Sequence, residues 1–122
     1  MAKETDGYYY EGASCQWLAR QSCRVLTRNY RCRAGEIDLV VRDGDMLVFV
    51  EVRVRTNPRF ASAAASVDRR KQQRLLRAAA HYLQRHFRGT APPCRFDVVV
   101  WEPAADSGKL QPRWIRNAFS AS

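Results

Sequence analysis

The sequence lacks a hydrophobic run long enough to cross a membrane. Its longest apolar stretch covers residues 46–50, far short of the roughly 20 residues that a membrane-spanning helix needs. The first residues do not show the charged segment followed by an apolar one that is typical of a secretory leader. We therefore expect a protein that is neither secreted nor inserted in a membrane, and that resides in the cytoplasm.

Closely spaced cysteine pairs of the C-x-x-C type are also absent. In a reducing compartment, isolated cysteines remain free thiols, so we expect neither a zinc site nor a disulfide framework. The four cysteines are Cys15, Cys23, Cys32 and Cys94. No Walker loop, G-x-G-x-x-G motif or G-x-S-x-G motif occurs, so nothing in the sequence supports nucleotide hydrolysis or serine chemistry.

Lysine is scarce, and basic residues outnumber acidic ones. Of the 21 basic residues eighteen are arginine and three are lysine, and with 12 acidic residues the net charge is +9. A guanidinium group can contact two phosphate oxygens at once, so this composition favours nucleic acid as the partner. The alternative is a codon bias that places arginine on an ordinary solvated surface.

The length of 122 residues and the apolar fraction of 46% predict one globular domain. Hydrophobic periodicity predicts helices over residues 8–21 and 67–87, the second capped by Ser66. Strands are predicted over residues 23–30, in both arms of a hairpin within 35–55, and over 94–101, with an edge strand or docking segment at 113–119. This order predicts an α/β fold with a mixed central sheet flanked by helices.

The hairpin is the clearest predicted element. Asp43 and Gly44 are typical of a two-residue turn, and with them as the loop Val40 faces Leu47. Even positions of the first strand then share a face with odd positions of the second, and Ile37 lies on the opposite, apolar face. The charged side chains predicted to share one face are Glu36, Asp38, Glu51 and Arg53.

Three carboxylates on this face, those of Glu36, Asp38 and Glu51, are expected to converge. Neighbouring Cβ atoms on adjacent strands lie about 5 to 8 Å apart, and like charges this close need a proton or a cation between them. Carboxylate oxygens suit Mg²⁺ or Mn²⁺, which in a basic protein would serve phosphodiester hydrolysis. The alternative is that Glu36 and Asp38 are solubilising charges paired with neighbouring arginines.

Five motifs carry a family resemblance: NYR at 29–31, GEIDLV at 35–40, VFVEVR at 48–53, RFDVV at 95–99 and NAF at 117–119. In order and spacing they resemble the YraN family of uncharacterised bacterial proteins, over residues 10–119. That family is similar to the restriction-endonuclease-like, or PD-(D/E)XK, nucleases and in layout to archaeal Holliday-junction resolvases. The resemblance implies a restriction-endonuclease-like core at about residues 8–119 of a single domain spanning 1–122. It also implies action on branched or structured DNA.

The resemblance also implies roles for individual residues. Asp38 matches the first metal-binding aspartate of the superfamily and Glu51 its second acidic ligand. Glu11 lies where related resolvases have a first-helix glutamate, and Glu36 belongs to the family's own G-E-I-D motif. Arg53 stands where the superfamily usually has a lysine that can orient or deprotonate water, whereas arginine stays protonated. The expected ligands of Mg²⁺ or Mn²⁺ are Asp38, Glu51, Glu36 and Glu11, and the expected nucleic-acid contacts are Arg31, Arg33, Arg55 and Lys71.

Other residues each allow two interpretations. Lys71 could reach the cleft and replace the missing lysine, but a solvated helix residue is the favoured interpretation. Asp97, in a buried strand, is expected to be structural and to need an arginine or a backbone donor as partner. Tyr8, Tyr9 and Tyr10 could stack on bases, although packing on the domain is favoured.

Three functions remain open at this point. The first is a Mg²⁺- or Mn²⁺-dependent endonuclease, working as a homodimer because resolvase-like relatives cut two strands symmetrically. The alternative is a non-catalytic nucleic-acid-binding protein that keeps the nuclease fold. A scaffold or partner-binding protein is a third option, for which affinity for DNA would show no steep dependence on salt.

Overall fold

Five strands form a mixed sheet whose spatial order follows the chain. The computed structural model describes residues 3–56 and 67–120. Its elements are α1 (Lys3–Arg20), β1 (Arg24–Cys32), β2 (Gly35–Asp43), β3 (Met46–Val54), α2 (Arg69–His86), β4 (Cys94–Pro103) and β5 (Leu110–Phe119). Within this sheet β3 and β4 run parallel, and the other neighbours are antiparallel. The predicted α/β class with a mixed sheet is confirmed.

The two helices pack against different clusters of buried residues, so that each helix covers its own set of strand side chains. The cluster that includes Leu18 of α1 contains Leu39, Val41, Val48, Val50 and Val99. The cluster that includes Leu75, Ala78, Ala79 and Tyr82 of α2 contains Val40, Leu47, Phe49, Phe96, Val98 and Val100. Because successive strand residues point to opposite faces, both clusters can be filled from the same strands.

The hairpin between β2 and β3 forms as predicted, but its register differs. Asp43 pairs with Met46, which leaves Gly44 and Asp45 in the turn, with Gly44 at a φ of 63°. Val40 therefore pairs with Phe49, and the predicted pairing with Leu47 is wrong. The turn has moved by one residue along the chain without changing length, so the partition of β3 side chains between the two faces is preserved.

Alternation along β2 is interrupted at Asp38. Ile37 packs in the same cluster as Val40, whereas strict alternation had placed it on the other face. Leu39 packs with α1. On β1, Asn29 lies between the pairs that join Arg28 to Leu39 and Tyr30 to Ile37, and its φ of 54° is in the left-handed region. Asparagine tolerates this conformation better than most residues.

The helix ends differ modestly from the prediction. The helix α1 begins before residue 8 and ends one residue early, and α2 is capped by Asp68, whose Oδ1 accepts the N–H of Lys71 at 2.8 Å. The predicted cap, Ser66, lies outside the described residues. The C-terminal segment is a strand, since β5 pairs with β4. In the described parts of the chain, neither helix is long and apolar enough to span a membrane.

Candidate active site

Three acidic side chains from three different elements meet at one cavity. Glu11 lies on α1, Asp38 on β2 and Glu51 on β3, and we call these residues the acidic cluster. The side chain of Asp38 interacts with both glutamates. The cavity has a volume of about 650 Å³, and Arg53 and Lys71 also line it.

Asp38 is held in place by the backbone of the neighbouring strand. The β2–β3 ladder runs as far as the pair Leu39 and Val50. Beyond it, Asp38 Oδ2 accepts the N–H of Val52 at 2.8 Å. The carboxylate thereby satisfies a backbone donor, and its position is fixed by β3 as well as by β2.

Burial and mutual repulsion make the acidic cluster unfavourable in its fully charged form. Burial, followed by the charge of Asp38, raises the pKa of Glu51 to about 7, and the side chain is only 4% exposed. Burial and Asp38 likewise raise the pKa of Glu11 to about 7. Within the described residues, Glu11 Oε1 is buried without a hydrogen-bond partner. Near neutral pH the cluster therefore holds protons that a cation could replace.

Two cationic side chains contact the same oxygen of Glu51. Lys71 Nζ lies 3.3 Å from Glu51 Oε2, and Arg53 Nη1 lies 3.5 Å from it. Both cations favour the charged form of Glu51 and so oppose the effect of burial. The favoured interpretation of Lys71 as an ordinary solvated residue is wrong, because its ammonium group reaches the acidic cluster from the first turn of α2.

Glu36 does not join the acidic cluster. Its Oε1 lies 3.2 Å from Arg31 Nε, and the side chain is half-exposed. It lines a second cavity of about 340 Å³, together with Arg31, Lys71 and Arg74. The expected convergence of Glu36 with Asp38 and Glu51 is therefore not found. Because alternation is interrupted at Asp38, the carboxylates of Glu36 and Asp38 lie in different surroundings.

The arginines expected to contact nucleic acid occupy different environments. Arg31 is exposed beside Glu36, and Arg33 is exposed in the turn between β1 and β2. Arg55 is largely buried, with Nη1 3.9 Å from Glu102 Oε1. Lys71 thus lines both cavities, Arg31 lines the second one, and Arg55 lies against a carboxylate.

Asp97 is a second buried carboxylate, with different surroundings. Its oxygens accept hydrogen bonds from Arg95 Nε at 2.9 Å, from Trp114 Nε1 at 2.8 Å and from the N–H of Asn117 at 2.8 Å. Arg95 also contacts Asp43 at 3.0 Å. The prediction that Asp97 needs an arginine or a backbone donor is confirmed. Through these hydrogen bonds the Asp97 side chain joins β4 to the end of β5.

Residues 10–100 match the uncharacterised protein family UPF0102. The chain belongs to the UPF0102 family. A UPF0102 protein of Bordetella parapertussis is 52% identical over 93% of this chain and 63% of its own length, so the chain spans less than two thirds of that relative. UPF0102 proteins of Alkalilimnicola ehrlichii and Alcanivorax borkumensis are 49% and 44% identical, over 91% and 97% of this chain and 83% and 94% of theirs. The resemblance to YraN-like proteins is confirmed at this level.

Sequence reasoning included an approach of Lys71 to the cleft as the less favoured interpretation, and it did not identify Glu51 as the partner. The available signal was Asp68, three residues before Lys71, because an N-cap aspartate accepts a backbone N–H two or three residues further along. This cap fixes the first turn of α2 and therefore the base of the Lys71 side chain. The approach of that turn to β3 depends on the crossover between two parallel strands, which local patterns do not specify.

Proposed function

We propose that this UPF0102 protein is a Mg²⁺- or Mn²⁺-dependent endonuclease with a restriction-endonuclease-like core that hydrolyses phosphodiesters in DNA. The observation that carries the proposal is the cavity in which Asp38 and Glu51 lie beside Lys71, in a protein of net charge +9. A basic surface attracts the phosphate backbone. An acidic cluster inside it serves no electrostatic purpose in simple backbone binding, but suits recruitment of a cation.

The donor set of the acidic cluster fits a hard divalent cation. Within residues 3–56 and 67–120, no group of three or more His, Cys, Asp or Glu side chains is arranged so that it could hold a metal ion by itself. Mg²⁺ commonly uses one or two carboxylates, and water and substrate phosphate oxygens complete its coordination. Asp38 and Glu51 would supply those two carboxylates, and the buried Oε1 of Glu11 lacks a partner among the described residues.

Lys71 takes the role that the resemblance assigns to a lysine at the position of Arg53. A bound divalent cation would neutralise charge on the phosphate and lower the pKa of a water molecule. Lys71, 3.3 Å from Glu51, would orient that water or exchange a proton with it. Arg53 remains protonated and would stabilise the charge that develops on the phosphate.

The proposed reaction is a single hydrolytic displacement. The oxygen of a water molecule forms a bond to phosphorus while the bond from phosphorus to the leaving deoxyribose oxygen breaks. One water proton passes to solvent or to a carboxylate of the cluster, and the leaving oxygen takes up a proton. No oxidant or further substrate is needed.

A cleavage assay tests the proposal directly. Duplex, single-stranded and four-way-junction DNA would be incubated with the protein and either Mg²⁺ or Mn²⁺. We expect cleavage by the native protein and a loss of at least about 100-fold in rate for Asp38→Asn. Asparagine can still accept the N–H of Val52, so this variant should fold. Asp45→Asn, a change in the exposed hairpin turn, is the matched control and should cut normally.

The role of Lys71 is tested with a second pair of variants. Lys71→Met should lower the cleavage rate by about 100-fold or more, the usual contribution of a group that manages proton transfer. Lys109→Met removes an exposed lysine between β4 and β5 and should leave the rate unchanged. Full activity in Lys71→Met would remove Lys71 from the mechanism. Isothermal titration of Mn²⁺ should show heat with the native protein and much less with Asp38→Asn.

The alternative is a non-catalytic nucleic-acid-binding protein. Its supporting observation is Arg53, which cannot deprotonate water. It predicts DNA binding that weakens steeply with salt, without cleavage in either metal. If a four-way junction is the substrate, symmetric cutting requires two sites, so we propose a homodimer, which light scattering with and without the junction would detect.

A further inference from the structure

Two tyrosines of α1, close to Glu11 in the sequence, are largely exposed. Tyr8 is 65% exposed and Tyr9 is 66% exposed. Tyr10 does pack on the domain, with its ring centroid 5.3 Å from that of Trp101. The favoured prediction that all three pack on the domain is therefore wrong for Tyr8 and Tyr9.

Tyr8 is directed to the rim of the cavity by its place on α1. Gly7 and Glu11, one residue before it and three residues after it, both line that cavity. The guanidinium carbon of Arg28 lies 5.5 Å from the Tyr8 ring centroid, and the same arginine lowers the pKa of Glu11. Arg28 therefore connects the Tyr8 ring to the acidic cluster.

Arg28 lies against α1 at Gly12, where a Cβ atom would make only ordinary van der Waals contact with it. A Cβ atom at Gly12 would lie 3.7 Å from Arg28 Nη2, so the arginine passes close to the surface of α1 on its way to Tyr8. The ring is thus restrained by a cation while most of its surface faces solvent. A restrained exposed aromatic ring loses little side-chain freedom when a planar ligand stacks on it.

We propose that Tyr8, supported by Arg28, is a stacking site for an unpaired nucleobase at the rim of the candidate active site. Every base has an aromatic face, so such stacking tolerates different sequences, and a nearby arginine adds cation–π and phosphate interactions. The surplus of positive charge on the protein complements the phosphates on either side of that base. This inference rests on the proposed function for the choice of nucleic acid as ligand.

A stacking site at Tyr8 would favour nucleic acid that contains an unpaired base. In an intact duplex the faces of a base are already covered by its neighbours, and exposing one requires unstacking. A base that stacks on Tyr8 therefore comes from a single strand, a flap or a branch point, beside the phosphodiester that enters the cavity. Blunt, fully paired duplex would use only the charged surface.

Fluorescence of DNA carrying 2-aminopurine tests the stacking site without any cleavage. The native protein would be titrated, in EDTA, with a short single strand and with the same strand in a matched duplex. We expect quenching and tight binding with the single strand. Tyr8→Ala should weaken single-strand binding by about 5- to 150-fold, the range for losing one stacked base, with duplex affinity unchanged. Tyr8→Phe keeps the ring and should bind as the native protein does.

Two controls separate stacking from other causes. Tyr9→Ala removes an equally exposed ring that does not carry Arg28, and it should have little effect. The dependence of binding on salt should be the same in Tyr8→Ala as in the native protein, because no charge is lost. Loss of equal size in Tyr9→Ala, or unchanged single-strand affinity in Tyr8→Ala, would overturn the assignment. A matching RNA strand shows whether DNA or RNA supplies the base.

The stacking site and the nuclease activity can be refuted separately. Metal-dependent cutting with no effect of Tyr8→Ala on binding would remove the stacking site and leave the nuclease proposal intact. Ring-dependent binding in EDTA, with no cutting in Mg²⁺ or Mn²⁺, would remove the nuclease proposal and keep the stacking site.

Discussion

The sheet carries two buried carboxylates, those of Asp97 and Glu51, whose surroundings are opposite in kind. Asp97 is surrounded by donors, from Arg95, Trp114 and the backbone of Asn117. Glu51 faces a second carboxylate, that of Asp38, and its contacts with Lys71 and Arg53 are longer and fall on one oxygen. A fully hydrogen-bonded carboxylate is stabilised in its charged form, whereas burial among like charges disfavours the charged form of Glu51.

The largest expected effect comes from removing the structural carboxylate. Asp97→Ala leaves Arg95 and Trp114 without their buried acceptor, so the free energy of unfolding should fall by about 3–5 kcal/mol. Urea denaturation of this variant beside Asp45→Ala, which alters an exposed turn, measures the difference. A change below about 1 kcal/mol, the size of an ordinary surface substitution, would contradict the structural role.

An intermediate effect is expected in the pH dependence of stability. Because the folded-state pKa of Glu51 is about 7 and its ordinary value 4.5, the folded protein binds more protons than the unfolded chain between these values. This contribution to stability is complete below pH 4.5 and is lost as pH rises through 7, by up to about 3 kcal/mol. Urea denaturation in EDTA across this range should show a smaller decline for Glu51→Gln than for the native protein, and an equal decline would refute the pKa assignment.

The smallest effect concerns the cation beside Glu51. Lys71 favours the charged form of that carboxylate, so Lys71→Met should raise the pKa of Glu51 further. Titration of the glutamate side-chain carboxyl carbons by NMR, in EDTA, would follow it. Lys109→Met is the control and should leave the titration unchanged. If Lys71→Met has the same curve as the control, the contact between Lys71 and Glu51 does not persist in solution.

The elements were predictable from local patterns to a greater extent than the site. The hairpin followed from a turn dipeptide between alternating apolar residues, and the segregation of its β3 side chains survived a shift in register because both turns have two residues. The proximity of Asp38 and Glu51 could be predicted from the sequence for the same reason. The pairing of Glu36 with a neighbouring arginine was the open alternative, and the structure shows it with Arg31. The interruption of alternation at Asp38, which a positive φ at Asn29 accompanies, could not be predicted, because asparagine is only a weak sign of that conformation.

The approach of Lys71 to the cleft was one of two interpretations, and the sequence could not decide between them for a different reason. Its side chain meets Glu51 from the first turn of α2, the helix that lies between the parallel strands β3 and β4 in the chain. Long-range placement of this kind depends on packing of the whole layer, here through Leu75 and Tyr82, and not on the residues adjacent to the lysine. Glu11 was assigned to the site only through the family resemblance, because one glutamate on a helix carries no signal of its own.

The parallel pairing of β3 with β4 has one further consequence. Two parallel neighbours cannot be joined by a tight turn, so a long crossover connection is required, and here it contains α2. In this protein α2 also carries Lys71, whose amine lies 3.3 Å from the Glu51 carboxylate on the preceding strand, β3. The cavity therefore receives its primary amine from Lys71 on α2, independently of which residue occupies position 53 on β3. An arginine at position 53 leaves that amine in place.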